Sequence, residues 1–396
     1  MARTAEARRN WNGPAVLSAG FRPFFLLAVV WAVLAIAIWP FVFSGEMDVP
    51  TVFAPVDWHG HEMIFGYGAA VVAGFLLTAV PNWTGRLPVA GWPLAGLALL
   101  WIAGRVAVFA SAPIGWRAAA LIDISFLVVF AGVAGREVLA GRNGRNVKVV
   151  LVVAVLALAN AAFHAEAAMT GAAPVATRAG LAVIIFLILL IGGRIVPSFT
   201  RNWLAKHGAT ALPVPFGRVD VALMLLSAVG LAAWIVLPAE GVTGGLLIAG
   251  GLGNLWRLSR WRSISVRSDA LVLVLHAGFL CAALGFLFMA AAVIRPDLVS
   301  PAAMLHVWAV GAIGIMTLAV MTRATLGHTG RPLVASGATR WVYLAVAAAT
   351  LLRVAAGFLP AMTMPLIEAA AAAWAVAFSG FVVIYGPLLL RTRQQD

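Results

Sequence analysis

Apolar stretches near bilayer length follow one another along almost the whole chain, and this succession admits one class of fold. A stretch of about 20 apolar residues is what a helix needs to cross the hydrocarbon layer. Such runs fall near 21–42, 59–81, 92–110, 116–138, 147–169, 175–196, 218–237, 241–257, 269–293, 301–324, 340–359 and 363–390. They predict an all-α, polytopic membrane protein of about twelve transmembrane helices, with residues 1–396 forming a single transmembrane domain. With 63% hydrophobic and 10% charged residues, a water-soluble core is excluded, since soluble domains carry roughly 25% charge. The links between runs are short and rich in Gly, Pro and Arg, so the function is expected to lie within the bilayer.

The formal charge of +13 would point to nucleic acid in a soluble protein. Here the basic residues lie between the apolar runs instead of on one face, so no nucleic-acid partner is expected and the lipid bilayer is the partner. Arg136, Arg142, Arg145 and Lys148 lie on one side, as do Arg194, Arg201 and Lys206, then Arg257, Arg260, Arg262 and Arg267, then Arg323, Arg331 and Arg340, and finally Arg391 and Arg393. The other side offers mainly Arg117, Arg178 and Arg295. The positive-inside bias then places both termini in the cytoplasm. Arg3, Arg8 and Arg9 precede a run too long for a signal-peptide core, which reads as an uncleaved first helix. The single cysteine, Cys281, excludes an intrachain disulfide and a four-thiolate cluster.

A shift of 245 positions aligns His61 with His306, Gly66 with Gly311, and Thr84, Gly85 and Arg86 with Thr329, Gly330 and Arg331. Asp123 then falls on Glu368, and a small gap brings Arg105 onto Arg353. The expectation is a parallel repeat of 59–138 in 304–390, with His61 and His306 facing each other from equal depth. Arg105 and Asp123 lie on consecutive antiparallel spans about 8 to 10 Å below the same surface, and Arg353 and Glu368 are expected to repeat that geometry. Charges in hydrocarbon normally pair inside a bundle. Each arginine is therefore either a structural ion-pair partner or, with its planar fork, a holder of carboxylates such as haem propionates.

Of seven histidines, His59, His61, His164 and His306 fall toward the outer half, His276 in the inner third of its span, and His328 and His207 at or beyond inner helix ends. One intramembrane histidine is ordinarily a packing residue, but several at one depth point to a ligand set. Imidazole binds iron, copper or zinc, whereas carriers rely on buried carboxylates, which are few here. In Trp58-His59-Gly60-His61-Glu62-Met63, helical spacing puts His59 and Glu62 on one face and His61 elsewhere. A haem needs an axial nitrogen and small residues that let helices part, and Gly66, Gly68, Ala69, Ala70 and Gly74 follow His61 as Ala309, Gly311, Ala312 and Gly314 follow His306. The leading expectation is haem b ligated by His61 and His306, with Arg105 or Arg353 at its propionates. Copper would draw on His59, Met63, His276 and His328, and the two depths forbid one site from using them all.

Five motifs, Arg22-Pro23-Phe24-Phe25, the run Trp58 to Gly66, Pro81-Asn82-Trp83-Thr84-Gly85-Arg86, Gly193-Arg194-Ile195-Val196-Pro197 and Gly327-His328-Thr329-Gly330-Arg331, resemble the NnrS family over most of the chain. The resemblance implies a multi-pass bacterial inner-membrane protein binding haem and copper, tied to denitrification and to protection from nitrosative stress. Nitric oxide is then the implied ligand, with an electron donor the sequence does not identify and, as the enzymatic form, a nitric oxide reductase-type oxidoreductase. A more distant similarity is to haem-copper oxidases, which also use twelve helices and take haem ligands from helices 2 and 10. Spans six and seven here lack the histidines that those enzymes use for copper. The opposing classes are a secondary transporter and a metal or haem assembly factor for denitrification enzymes.

Overall fold

The computed structural model describes residues 11–391; residues 1–10 and 392–396, which hold Arg3, Arg8, Arg9 and Arg393, lie outside the described residues, as does the side chain of Arg145. Twelve helices account for most of the described chain, and among those residues there is no strand. They are α1 Phe21–Ser44, α2 Pro55–Thr84, α3 Trp92–Phe109, α4 Trp116–Ala140, α5 Gly144–Thr170, α6 Pro174–Lys206, α7 Arg218–Val236, α8 Gly241–Ser259, α9 Ala270–Ile294, α10 Pro301–Thr329, α11 Gly337–Ala355 and α12 Thr363–Leu390. A helix satisfies every backbone group within one segment, which hydrocarbon demands. Eleven of them are long and apolar enough to cross a membrane. The twelfth, α8, is present but rich in glycine and carries Asn254 and Arg257; it packs between α7 and α9.

The described residues form two compact units, the first of residues 11–183, 324–331 and 381–391, the second of 184–323 and 332–380. In the first, Arg22 donates from Nη1 to the carbonyls of Leu388, Leu389 and Arg391 at 3.1, 2.8 and 2.8 Å. A guanidinium there satisfies orphan carbonyls at the end of α12 and meets the negative end of its dipole. This gives the arginine of the first motif a structural use. Phe24 and Phe25 pack over Gly74 of α2, where an added Cβ would approach the Phe25 ring to 2.7 Å.

The three long helices α2, α6 and α10 each contain a π-helical segment, Glu62–Gly68, Ile188–Gly192 and Val307–Gly314. Such segments widen one turn and occur often at functional sites. The first and third begin 245 positions apart, and so do Gly85 and Gly330, which end α2 and α10 at φ +70° and +77°. Within the first unit Gly66 faces Trp31 of α1 and Arg105 of α3; within the second, Gly311 faces Cys281 of α9 and Thr350 of α11.

Candidate metal centre

Pro55 starts α2 at a position where its missing N–H is not needed. Six residues on, about 9 Å along the axis, His61 and Glu62 are both fully buried where the π-helical segment begins. Sequence neighbours on a regular helix do not face each other; here His61 Nδ1 lies 3.0 Å from Glu62 Oε1. The expectation from regular spacing is thus reversed. His61 and Glu62 share the buried face, while His59 stacks on Trp39 of α1 with ring centroids 4.2 Å apart. Trp101 Nε1 donates at 3.0 Å to the Gly66 carbonyl inside the π-helical segment, so α3 packs directly against the distorted turn.

Three further helices complete the cluster. Arg105 comes from α3, Asp123 from α4, and Asn160 with His164, one turn apart on one face, from α5. His61 Nε2 lies 3.0 Å from Asn160 Oδ1 and 3.1 Å from Asp123 Oδ2. His164 Nε2 lies 3.0 Å from Asp123 Oδ2, to which Asn160 Nδ2 also donates at 2.8 Å. Arg105 donates from Nη1 to Glu62 Oε1 at 2.7 Å and from Nη2 to Asp123 Oδ1. Gly104 lets α3 close on α4, since a Cβ there would sit 2.9 Å from Asp123 Oδ1. Phe53, Phe65 and Phe163 enclose the His61 ring, with centroids 4.9 to 5.4 Å away.

The electrostatics follow from this geometry. Glu62 accepts only, so His61 Nδ1 carries its proton, which in a neutral ring leaves Nε2 with the lone pair. That lone pair would face two oxygens, those of Asn160 and Asp123. The contact is attractive only if a proton or a metal ion lies between them. One ligand atom each from His61, Asp123 and His164 falls within 4.8 Å of the others, a set of two imidazoles and one carboxylate. The separations of 3.0 and 3.1 Å at Asp123 fall a few tenths of an ångström short of the roughly 3.4 Å edge that bonds of about 2.1 Å impose around a four-coordinate ion. Glu62 Oε2, Arg105 Nε and His164 Nδ1 have no hydrogen-bond partner. The set suits an ion and does not suit a haem on His61, because rings and polar groups occupy every side of that imidazole.

Residues 15–393, nearly the whole chain, match the family model described as NnrS protein. The chain belongs to the NnrS family. A search of curated proteins finds no match.

In this NnrS-family chain the remaining expected ligands have other surroundings. His276 is buried, with Nε2 2.8 Å from Thr200 Oγ1 and Nδ1 2.8 Å from Ser263 Oγ, so both ring nitrogens are engaged by hydroxyls. His328 packs 5.4 Å from the Phe21 ring, and Met63 is half-buried in the π-helical segment. His306 is half-buried, and its Nδ1 donates to the Ala302 carbonyl at 2.5 Å. His207 stacks on Trp203 just past the end of α6. Arg105 forms the ion pair with Asp123 read from the sequence, so it is occupied by protein carboxylates. Its counterpart differs: Glu368 is exposed, Arg353 is half-buried, and no ion pair joins them. Glu368 sits only five residues into α12, near enough to the end to reach interfacial water. From the sequence, His164 is only one of the outer-half histidines, without a metal assigned to it, and Asn160 is not singled out; their signal is a polar pair at helical spacing in an otherwise apolar run.

Proposed function

We propose that this NnrS-family chain is a membrane metalloprotein of the nitric oxide response whose first unit holds a copper ion through His61, Asp123 and His164. The observation that carries the reading is His61 Nε2 at 3.1 Å from the Asp123 carboxylate and 3.0 Å from the Asn160 carbonyl oxygen inside a wholly buried cluster. Imidazole with carboxylate suits copper, iron or zinc, and the family resemblance favours copper. Glu62 fixes the His61 tautomer, and Asn160 and Arg105 orient Asp123, the outer-shell support that such ligands need. Bound copper supplies a one-electron couple beside which nitric oxide can be held. In its enzymatic form the overall reaction takes two NO, two electrons and two protons to N2O and water.

Haem, the other group implied by the resemblance, is better assigned to His306 than to His61. The bond from His306 Nδ1 to the Ala302 carbonyl selects the tautomer whose Nε2 is a ligand. Arg353, which forms no ion pair with a described carboxylate, lies on α11, against which the start of α10 packs, and suits a propionate.

Copper analysis and optical spectra of the purified protein test both assignments. One copper per chain is expected, lost in His164→Ala, together with a reduced Soret band that shifts on adding NO and is lost in His306→Ala. Copper retained by His164→Ala overturns the centre. The buried carboxylates of the same cluster also suit a proton-coupled carrier, and colourless, metal-free protein would favour that reading.

A further inference from the structure

The centre carries a charge imbalance of one unit. Glu62 and Asp123 contribute two negative charges, Arg105 one positive, and the imidazoles of a metal-ligating His61 and His164 are neutral. Every charged group in hydrogen-bond contact with the cluster is in that count. With neither an ion nor a proton at His61 Nε2 the cluster is therefore net −1, and it lies in a low-dielectric interior with its side chains 0 to 3% exposed. An uncompensated charge in such a place is strongly disfavoured. A monovalent ion brings the cluster to neutrality, whereas a divalent ion leaves it at +1.

From this we infer that Arg105 sets the charge of the ion the centre accepts, making it selective for a monovalent metal, cuprous ion, over divalent zinc or cupric ion. The inference rests on the metal centre proposed above and goes beyond it. The donor set alone points the other way, since oxygen and imidazole suit zinc at least as well as cuprous ion. Selectivity for Cu(I) would thus come from charge and not from ligand type. Arg105 does this without touching the metal: Nη1 and Nη2 span Glu62 and Asp123, cancelling one of two negative charges. Remove it and the cluster becomes net −2, the charge that a divalent ion neutralises. Remove Glu62 as well and the balance returns to −1.

The test is competition binding of Cu(I) and Zn(II) to metal-stripped, full-length protein in detergent, read as the ratio of the two dissociation constants. Wild type is expected to favour Cu(I) by at least about tenfold. Arg105→Gln should move the ratio at least about tenfold toward Zn(II), and Arg105→Gln with Glu62→Gln should bring it back. Glu62→Gln alone makes the empty cluster neutral and should weaken both ions; this variant carries the test if Arg105→Gln does not fold. An unchanged ratio in Arg105→Gln, or a Glu62→Gln protein that binds Cu(I) as tightly as wild type, overturns the inference and leaves the centre standing. Wild type that binds neither ion overturns the centre and this inference with it.

Discussion

Replacing Asp123 with asparagine keeps the shape of the side chain and removes its charge, and the surroundings offer the amide no good orientation. Oδ1 receives a bond from Arg105, while Oδ2 lies 2.8 Å from Asn160 Nδ2, 3.0 Å from His164 Nε2 and 3.1 Å from His61 Nε2. Turned toward Arg105, the NH2 group meets a guanidinium donor; turned the other way, it can donate to His61 Nε2 but meets the Asn160 donor and breaks the bond that orients it. Arg105 is left with Glu62 alone. Breaking a buried ion pair by removing one partner typically costs about 3–5 kcal/mol. The Asp123→Asn protein should lose about that much in reversible unfolding by SDS titrated into mixed micelles, while Glu368→Gln, its counterpart in the 245-residue alignment, should change stability by less than about 0.5 kcal/mol because Glu368 is exposed. Equal losses in the two variants would refute the view that the polar cluster is built in the first unit and not at Glu368.

Gly66→Ala would bring a Cβ to 2.8 Å from Arg105 Nη1 and 3.0 Å from Glu62 Oε2 and Trp31 Nε1. A loss of about 1–3 kcal/mol is expected in the same unfolding assay, with weakened copper binding, and wild-type values for both would contradict the packing described. His276→Ala leaves Thr200 Oγ1 its bond to the Val196 carbonyl at 2.9 Å but takes the partner of the Ser263 hydroxyl, at about 1–3 kcal/mol for that one group. Copper content should be unchanged in that variant, and a fall in stoichiometry would restore His276 to the ligand set.

The bilayer made most of the helices legible. A run of the required length has few alternatives, and the run 269–293 became Ala270–Ile294 while 363–390 became Thr363–Leu390. The run 175–196 fell short of Lys206, because the last turns of α6 carry Arg194, Arg201 and Asn202 and no longer look apolar. The π-helical segments left no trace in composition; they are a change of hydrogen-bond register. That change turned His61 and Glu62 onto one face, against the regular-helix expectation. Arg105 with Asp123 was readable from depth and charge, whereas the joining of His61 to Asn160 and His164 is tertiary. The rule that polar groups in hydrocarbon must find one another would have pointed to α5. The 245-residue offset of 59–138 from 304–390 is shared by two π-helical segments and two left-handed glycines, in keeping with the expected repeat of α2 to α4 in α10 to α12. On that reading the second copy has Val307 where the first has Glu62, and its Glu368, opposite Asp123, is exposed.

X-ray absorption at the copper edge of the loaded, purified protein tests the central claim most directly. Two imidazole nitrogens and one carboxylate oxygen at about 2.0–2.2 Å are expected. A sulfur neighbour at about 2.3 Å, which only cysteine or methionine can provide, would place the metal elsewhere and contradict the account.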